Sequence, residues 1–129
     1  MKWARDNRDP DGTTYLDRPD VRRSLGRLHA RARATDLLGV EAVLRDAAGS
    51  GRIVDAPATK VLFSETNLEV VTAALDLFGS EGLVAEGPGS VDDGYWHKAF
   101  LFARGFTISA GSNEIMRNVI AERGLGLPR

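Results

Sequence analysis

Apolar and small residues recur along this chain at intervals of three and four, in blocks separated by glycine- and proline-rich breaks. That period belongs to helices with one buried face. Val21, Leu25, Leu28, Ala32, Thr35 and Gly39 form the first stripe, and Leu38, Ala42 and Val43 carry it to about Ala48. Asp17 with Arg18, Pro19 and Asp20 reads as its start, an N-cap with proline in the first turn, and Gly49-Ser50-Gly51 as its stop. A helix of about 30 residues, about 45 Å long at 1.5 Å per residue, is predicted. Asp55-Ala56-Pro57 starts a second helix in the same way. Its stripe is Val61, Leu68, Val71, Leu75 and Phe78, widened by Leu62, Val70, Ala74 and Leu77. A helix this apolar touches neighbours on more than one side and is predicted to be central.

Gly79-Ser80-Glu81-Gly82 stops the second helix, and Glu86-Gly87-Pro88-Gly89 marks a loop. A third helix is predicted from residue 90 to about 106, with Trp96, Phe100 and Ala103, together with Tyr95, Phe102 and Phe106, as the aromatic mass of the core. The last helix starts at Gly111 and Ser112, the latter an N-cap, with Glu114 in its first turn and Arg123 in its last. Ile115, Met116, Val119 and Ile120 form its apolar side, Arg117, Asn118 and Glu122 are left for polar contacts, and Gly124, Gly126 and Pro128 end it. Residues 5–19 are dense in turn formers and read as a loop; Lys2-Trp3-Ala4 ahead of it reads as the tail of a preceding helix, which makes a truncated, C-terminal piece of a larger protein the expectation. No alternating Val/Ile/Thr pattern competes. The fold class predicted is all-α: one domain over residues 1–129, an up-down-up-down four-helix bundle. Trp3, Trp96 and the wide apolar surface of the second helix exceed what four helices can bury, so self-association is expected.

Composition narrows the chemistry. There are no cysteines, so a disulfide framework and thiolate chemistry are excluded. No apolar run approaches the roughly 20 residues of a membrane span, and the start lacks a signal-peptide core, so a cytoplasmic protein without a membrane span is expected. His29 and His97 have no ligand-spaced partners, and no metal site is predicted. Net charge is −1, yet residues 1–33 carry nine Lys/Arg against five Asp. Arg22, Arg23, Arg27, Arg31 and Arg33 fall on one face of the first helix. Such a stripe either grips phosphates of nucleic acid or a nucleotide, or pairs with acids on neighbouring helices. The acidic remainder and the lack of interleaved aromatic residues argue against nucleic acid.

The run Gly111-Ser112-Asn113-Glu114-Ile115-Met116-Arg117, followed by Ala121-Glu122-Arg123-Gly124-Leu125-Gly126-Leu127-Pro128, resembles the closing segment of the acyl-CoA dehydrogenase family. Gly79-Ser80-Glu81-Gly82 is similar to that family's Leu-Gly-Gly-x-Gly loop. The resemblance implies the family's C-terminal helical domain, FAD as cofactor, an acyl-CoA as substrate, and a homo- or hetero-oligomer of acyl-CoA dehydrogenase subunits. The implied reaction takes a proton from the carbon alpha to a thioester while a hydride leaves the beta carbon for the flavin. Gly79, Ser80, Gly82, Gly111, Ser112 and Glu114 are the implied cofactor contacts. Ala110 stands where one branch of the family has its base Glu, so no catalytic base is expected within these residues and the chain alone is expected to be inactive. The resemblance implies that the Gly79–Gly82 loop approaches the adenosine pyrophosphate of a flavin bound mainly by a neighbouring subunit; Asp76 stands just before it, where the family often has a Gln that contacts the cofactor, and a carboxylate beside a pyrophosphate is repulsive. A second reading stays open beside the enzyme fragment: a non-catalytic helical subunit that completes a partner's assembly.

Overall fold

The computed structural model describes residues 2–128; Arg129, the last residue of the closing run, lies outside them. Among the described residues five α-helices follow in order: α1 over Lys2–Asp6, α2 over Pro19–Ala47, α3 over Asp55–Phe78, α4 over Tyr95–Ile108 and α5 over Asn113–Val119. Among the described residues there is no strand, only one isolated bridge between Arg8 and Thr14. The fold is all-α, and its bundle is built around α3 as the period predicted.

Pairings along α2 and α3 run in opposite order. Arg27 meets Glu69, Thr35 meets Thr66 at 3.1 Å, and Arg45 meets Asp55 at 3.1 Å. α4 is antiparallel to α3 as well, with Trp96 against Phe78 at 5.6 Å between ring centres and Phe106 against Phe63 at 5.3 Å. α5 lies across the first half of α3. Val21 and Leu28 from α2, Val71, Leu75 and Phe78 from α3, and Ala103 from α4 are buried at these seams. Burying such side chains supplies about 1.5–3 kcal/mol each for the larger ones, which is what holds helices of modest intrinsic stability together.

Several boundaries differ from those predicted. Arg18, not Asp17, occupies the N-cap of α2; Pro19 is the first helical residue, and Asp17 closes a short 3-10 turn over Tyr15–Asp17, accepting a hydrogen bond from Thr14 Oγ1 at 2.6 Å. The reason is Arg18 itself, whose guanidinium is held between Asp9 and Asp20 at 2.8 Å each. Val54 is the N-cap of α3, and Asp55 is its buried first residue, fastened to Arg52 and Arg45. α4 starts at Tyr95 rather than residue 90, because Asp92, Asp93 and Gly94 adopt left-handed conformations (φ 48°, 54° and 73°) that no helix continues through. Left-handed Gly94 brings its Cα so close to Ala85 that a Cβ would lie 1.8 Å from the Ala85 carbonyl oxygen. α5 ends at Val119 and continues as one wider π-type turn over Ile120–Gly124.

The aromatic residues of α4 are not the core. Tyr95 and Phe102 are exposed, Trp96, Phe100 and Phe106 are half-buried, and Ala103 is the fully buried residue of that helix. Val43, placed on the predicted stripe of α2, is exposed too.

Candidate functional site

The start of α5 is the most closely built of the predicted sites. Ala110 and Gly111 take positive φ (53° and 94°), turning the chain sharply after α4. A Cβ on Gly111 would lie 2.5 Å from Met116 Cε, so glycine is needed here for space as well as conformation. Ser112 caps the helix as predicted, its Oγ accepting from the Ile115 N–H at 3.4 Å. Glu114 is exposed, and its own backbone N–H with the Ser112 hydroxyl holds its carboxyl below the usual carboxylate range. Between them stands a residue the pattern did not single out. Asn113 is buried, and its Oδ1 accepts from Lys60 Nζ at 2.6 Å and from the Ser64 hydroxyl at 3.0 Å; Lys60 also donates to the Thr107 carbonyl at 3.2 Å. One oxygen therefore joins α5 to α3 and, through Lys60, to α4. The predicted apolar side of α5 is less covered, since Ile115 is exposed, and Arg117 pairs with Glu65 of α3.

The second set, Gly79, Ser80 and Gly82, lies at the other end of α3. Gly79 (φ 58°) ends the helix, its N–H bonding to the Leu75 carbonyl, and Ser80 is exposed. Gly82 is buried, and a Cβ there would stand 2.9 Å from Phe78 Cβ and 3.1 Å from Leu75 Cδ2, so its missing side chain serves packing against α3. Fifteen residues of α3 separate Ser64, which holds Asn113, from Gly79; at 1.5 Å per residue the two predicted sets are about 22 Å apart. The chain does not bring them into one pocket.

A third feature carried no motif. An open cleft of about 880 Å³ lies between α1, the first half of α2 and the second half of α3, walled by Trp3, Leu28, Ala74, Phe78 and Trp96. Trp3 is packed rather than isolated, 4.7 Å from Phe78 and 5.0 Å from Tyr15 between ring centres. Asp76 is exposed at this cleft. The arginine stripe of α2 is largely committed to ion pairs: Arg27 to Glu69, Arg31 to Glu65 and Glu69 (3.4 and 3.3 Å), and Arg33 to Asp36 (3.5 Å). Those pairings are with acids on α3 and α2 itself, which answers what the stripe is for at these positions. Among the described residues no group of three potential ligands gathers to hold a metal, and no helix is long and apolar enough to cross a membrane.

A central helix with antiparallel neighbours, closed by a Gly-Ser-Asn-Glu turn latched onto its start, defines an all-α bundle domain. Residues 1–125 match the family described as acyl-CoA dehydrogenase, C-terminal domain, and the chain belongs to that family. It is 46% identical over 71 residues to the acyl-CoA dehydrogenase IpdE1 of Mycolicibacterium smegmatis, covering 55% of this chain and 17% of that protein. To the acyl-CoA dehydrogenase FadE26 of Mycobacterium tuberculosis it is 31% identical, covering 99% of this chain and 33% of that protein. Among solved structures, the ChsE4–ChsE5 complex from Mycobacterium tuberculosis superposes with a TM-score of 0.88 at 29% identity, and the Tcur3481–Tcur3483 steroid ACAD with 0.88 at 32%; each covers 99% of this chain, which spans 33% and 32% of the respective chains. The chain thus spans a third or less of these relatives.

The family implies FAD in the full enzyme, and the two ends of α3 differ in how they suit it. From Asp76 to Asp93 the chain carries Asp76, Glu81, Glu86, Asp92 and Asp93 and no Lys or Arg. Asp76, Glu81, Asp92 and Asp93 are exposed around the negative end of the α3 dipole. A diphosphate placed at Gly79–Gly82 meets repulsion from each of these sources, so the donor set there does not fit that part of a flavin.

Proposed function

We propose that this domain works within a heteromeric acyl-CoA dehydrogenase acting on a steroid-type acyl-CoA, in which the flavin diphosphate is held by the partner subunit and not at this chain's Gly79–Gly82 loop. The observation that carries the reading is the acid-only stretch from Asp76 to Asp93 at the loop where the resemblance calls for a diphosphate contact. Ala110, a methyl side chain in the place of a base, supports it from the other end of α3. The substrate class and the heteromeric form are proposed by extension from the complexes this chain is similar to. Ser112, Gly111 and Glu114 are proposed to face the flavin ring side of the assembled site, and the apolar cleft beside Trp3 and Trp96 to contribute to the wall toward the acyl chain.

The second reading, a subunit with no part in catalysis beyond assembly, draws on the same acids. One experiment separates the two. The full-length parent is purified alone and co-purified with candidate acyl-CoA dehydrogenase partners, and reduction of an artificial electron acceptor is measured with CoA thioesters of steroid side chains and of straight-chain acids. The proposal expects activity only in the co-purified form, preferring the steroid thioester. Activity of the parent alone would overturn it, and an assembly whose turnover is unchanged when Ser112→Asp and Trp96→Ala are introduced would favour the assembly-only reading.

A further inference from the structure

Lys60 and Ser64 stand one turn apart on the same face of α3 and both donate to the Asn113 side chain, yet they differ in what else they hold. Ser64 turns back to its own helix, to the Val61 carbonyl 3.1 Å away, and so fastens only the start of α5. Lys60 reaches two helices with one ammonium: Nζ donates to Asn113 Oδ1 at 2.6 Å and to the Thr107 carbonyl at 3.2 Å. That carbonyl is among the last of α4, which the helix itself leaves without a donor, and a cation at this end is favoured by the dipole. Thr107 and Asn113 lie on either side of the connection 109–112, so one half-buried side chain ties off both its ends.

We infer that Lys60 is the positioning residue of this connection: by fixing both ends it holds the left-handed turn that sets Gly111, Ser112 and Glu114 in place. What that turn faces, the flavin ring, rests on the function proposed above. The backbone shows why a tie is needed. Ala110 has φ 53°, which a residue with a side chain adopts rarely and keeps only where its surroundings over-determine it, and Gly111 follows at 94°. Ser109 and Ala110 are exposed, so packing does not supply that determination. On the side where a Cβ would stand, Gly111 meets Met116 Cε, the end of an unbranched and adaptable side chain. The Arg117–Glu65 pair lies a turn further along α5 and acts on the helix rather than on the connection. Of the side chains around it, Lys60 is the one that holds the residues before and after the turn at once.

The test is made by NMR on the isotope-labelled chain. Its readouts are the contact between the Gly111 Cα hydrogens and the Met116 methyl, and the exchange of the Met116 amide, which bonds to the Ser112 carbonyl at 3.0 Å. Lys60→Met keeps the length and removes the donors; it is expected to lose the contact and to exchange the Met116 amide at least about tenfold faster. Lys60→Arg, which keeps donors for both oxygens, is expected to retain contact and protection. Ser64→Ala is expected to lower the urea midpoint and leave the contact in place, a split that a merely stabilising role for Lys60 would not produce. Should Lys60→Met lose its helical circular dichroism, Lys60→Gln, too short to span both oxygens, carries the same expectations. An unchanged contact and amide in these variants overturns the inference, as does equal loss in Ser64→Ala. In the full-length parent co-purified with its partner, Lys60→Met should also shift the visible spectrum of the bound flavin. A turn that moves beside an unchanged flavin spectrum overturns the placement of Ser112 at the ring while supporting Lys60 as the tie.

Discussion

Asn113 joins α5 to α3 at one oxygen and, through Lys60, to α4, so within the closing run its loss should be felt most. Removing it leaves Lys60 and Ser64 with a lost acceptor in a buried place, a deficit of roughly 1–3 kcal/mol. Ser112, a partly exposed cap, contributes about 1 kcal/mol. In urea unfolding, Asn113→Ala should therefore lower the midpoint more than Ser112→Ala does, with the slope unchanged; the reverse order would show that the latch is not a stability element. Ser112 was legible from the sequence, because a cap is a local event between residues three apart. Asn113 was not, since its partners Lys60 and Ser64 lie 53 and 49 residues away and a buried amide leaves no periodic trace. Gly82 stands among the cofactor contacts that the resemblance implies, and its packing role was not legible: the space its missing side chain leaves is taken by Phe78 and Leu75.

At the scale of elements, the helices and the central place of α3 could be read from spacing, while the faces of α2 and α4 could not. α2 carries Thr35 and Gly39 toward α3 and Leu37, Val40 and Leu44 away from it, so an apolar stripe wide enough to include both does not say which is buried. α4 is aromatic on most sides, and the position that is fully buried belongs to small Ala103. The turn from α2 to α3 was predicted from Gly49-Ser50-Gly51, but its clamp is Asp55, held by the Arg52 guanidinium and backbone N–H (2.7 and 2.9 Å) and by Arg45. The hydrogen bonds from Arg52 come first among the causes that hold the Asp55 carboxyl below its ordinary value of 3.8. A group depressed in the folded state stabilises it fully above the ordinary value, and that contribution is lost as pH falls through the lower folded value. Asp55→Asn should accordingly lower the melting temperature at neutral pH and flatten the further loss of stability as pH falls below about 4. A parallel offset between the two proteins across that whole range would show that Asp55 has no special share in acid unfolding.

For the whole molecule, family membership was legible because the closing run and the glycine loop are linear strings, and the relation of the two was not, because about 22 Å of α3 comes between them. On the proposed function, the Gly-Ser-Asn-Glu turn at one end of the central helix closes one side of a flavin site, while the exposed carboxylates Asp76, Glu81, Asp92 and Asp93 at the other end repel the diphosphate of a second flavin. The count of flavin in the assembled enzyme tests this most directly. With the full-length parent co-purified with its partner, flavin absorbance set against subunit concentration should give one flavin for each pair of unlike subunits. Asp76→Gln combined with Glu81→Gln should leave that count unchanged or raise it, by removing charge where a second diphosphate would sit. One flavin on every subunit in the wild type, or loss of the bound flavin when these two carboxylates are neutralised, would contradict a flavin diphosphate held by the partner subunit.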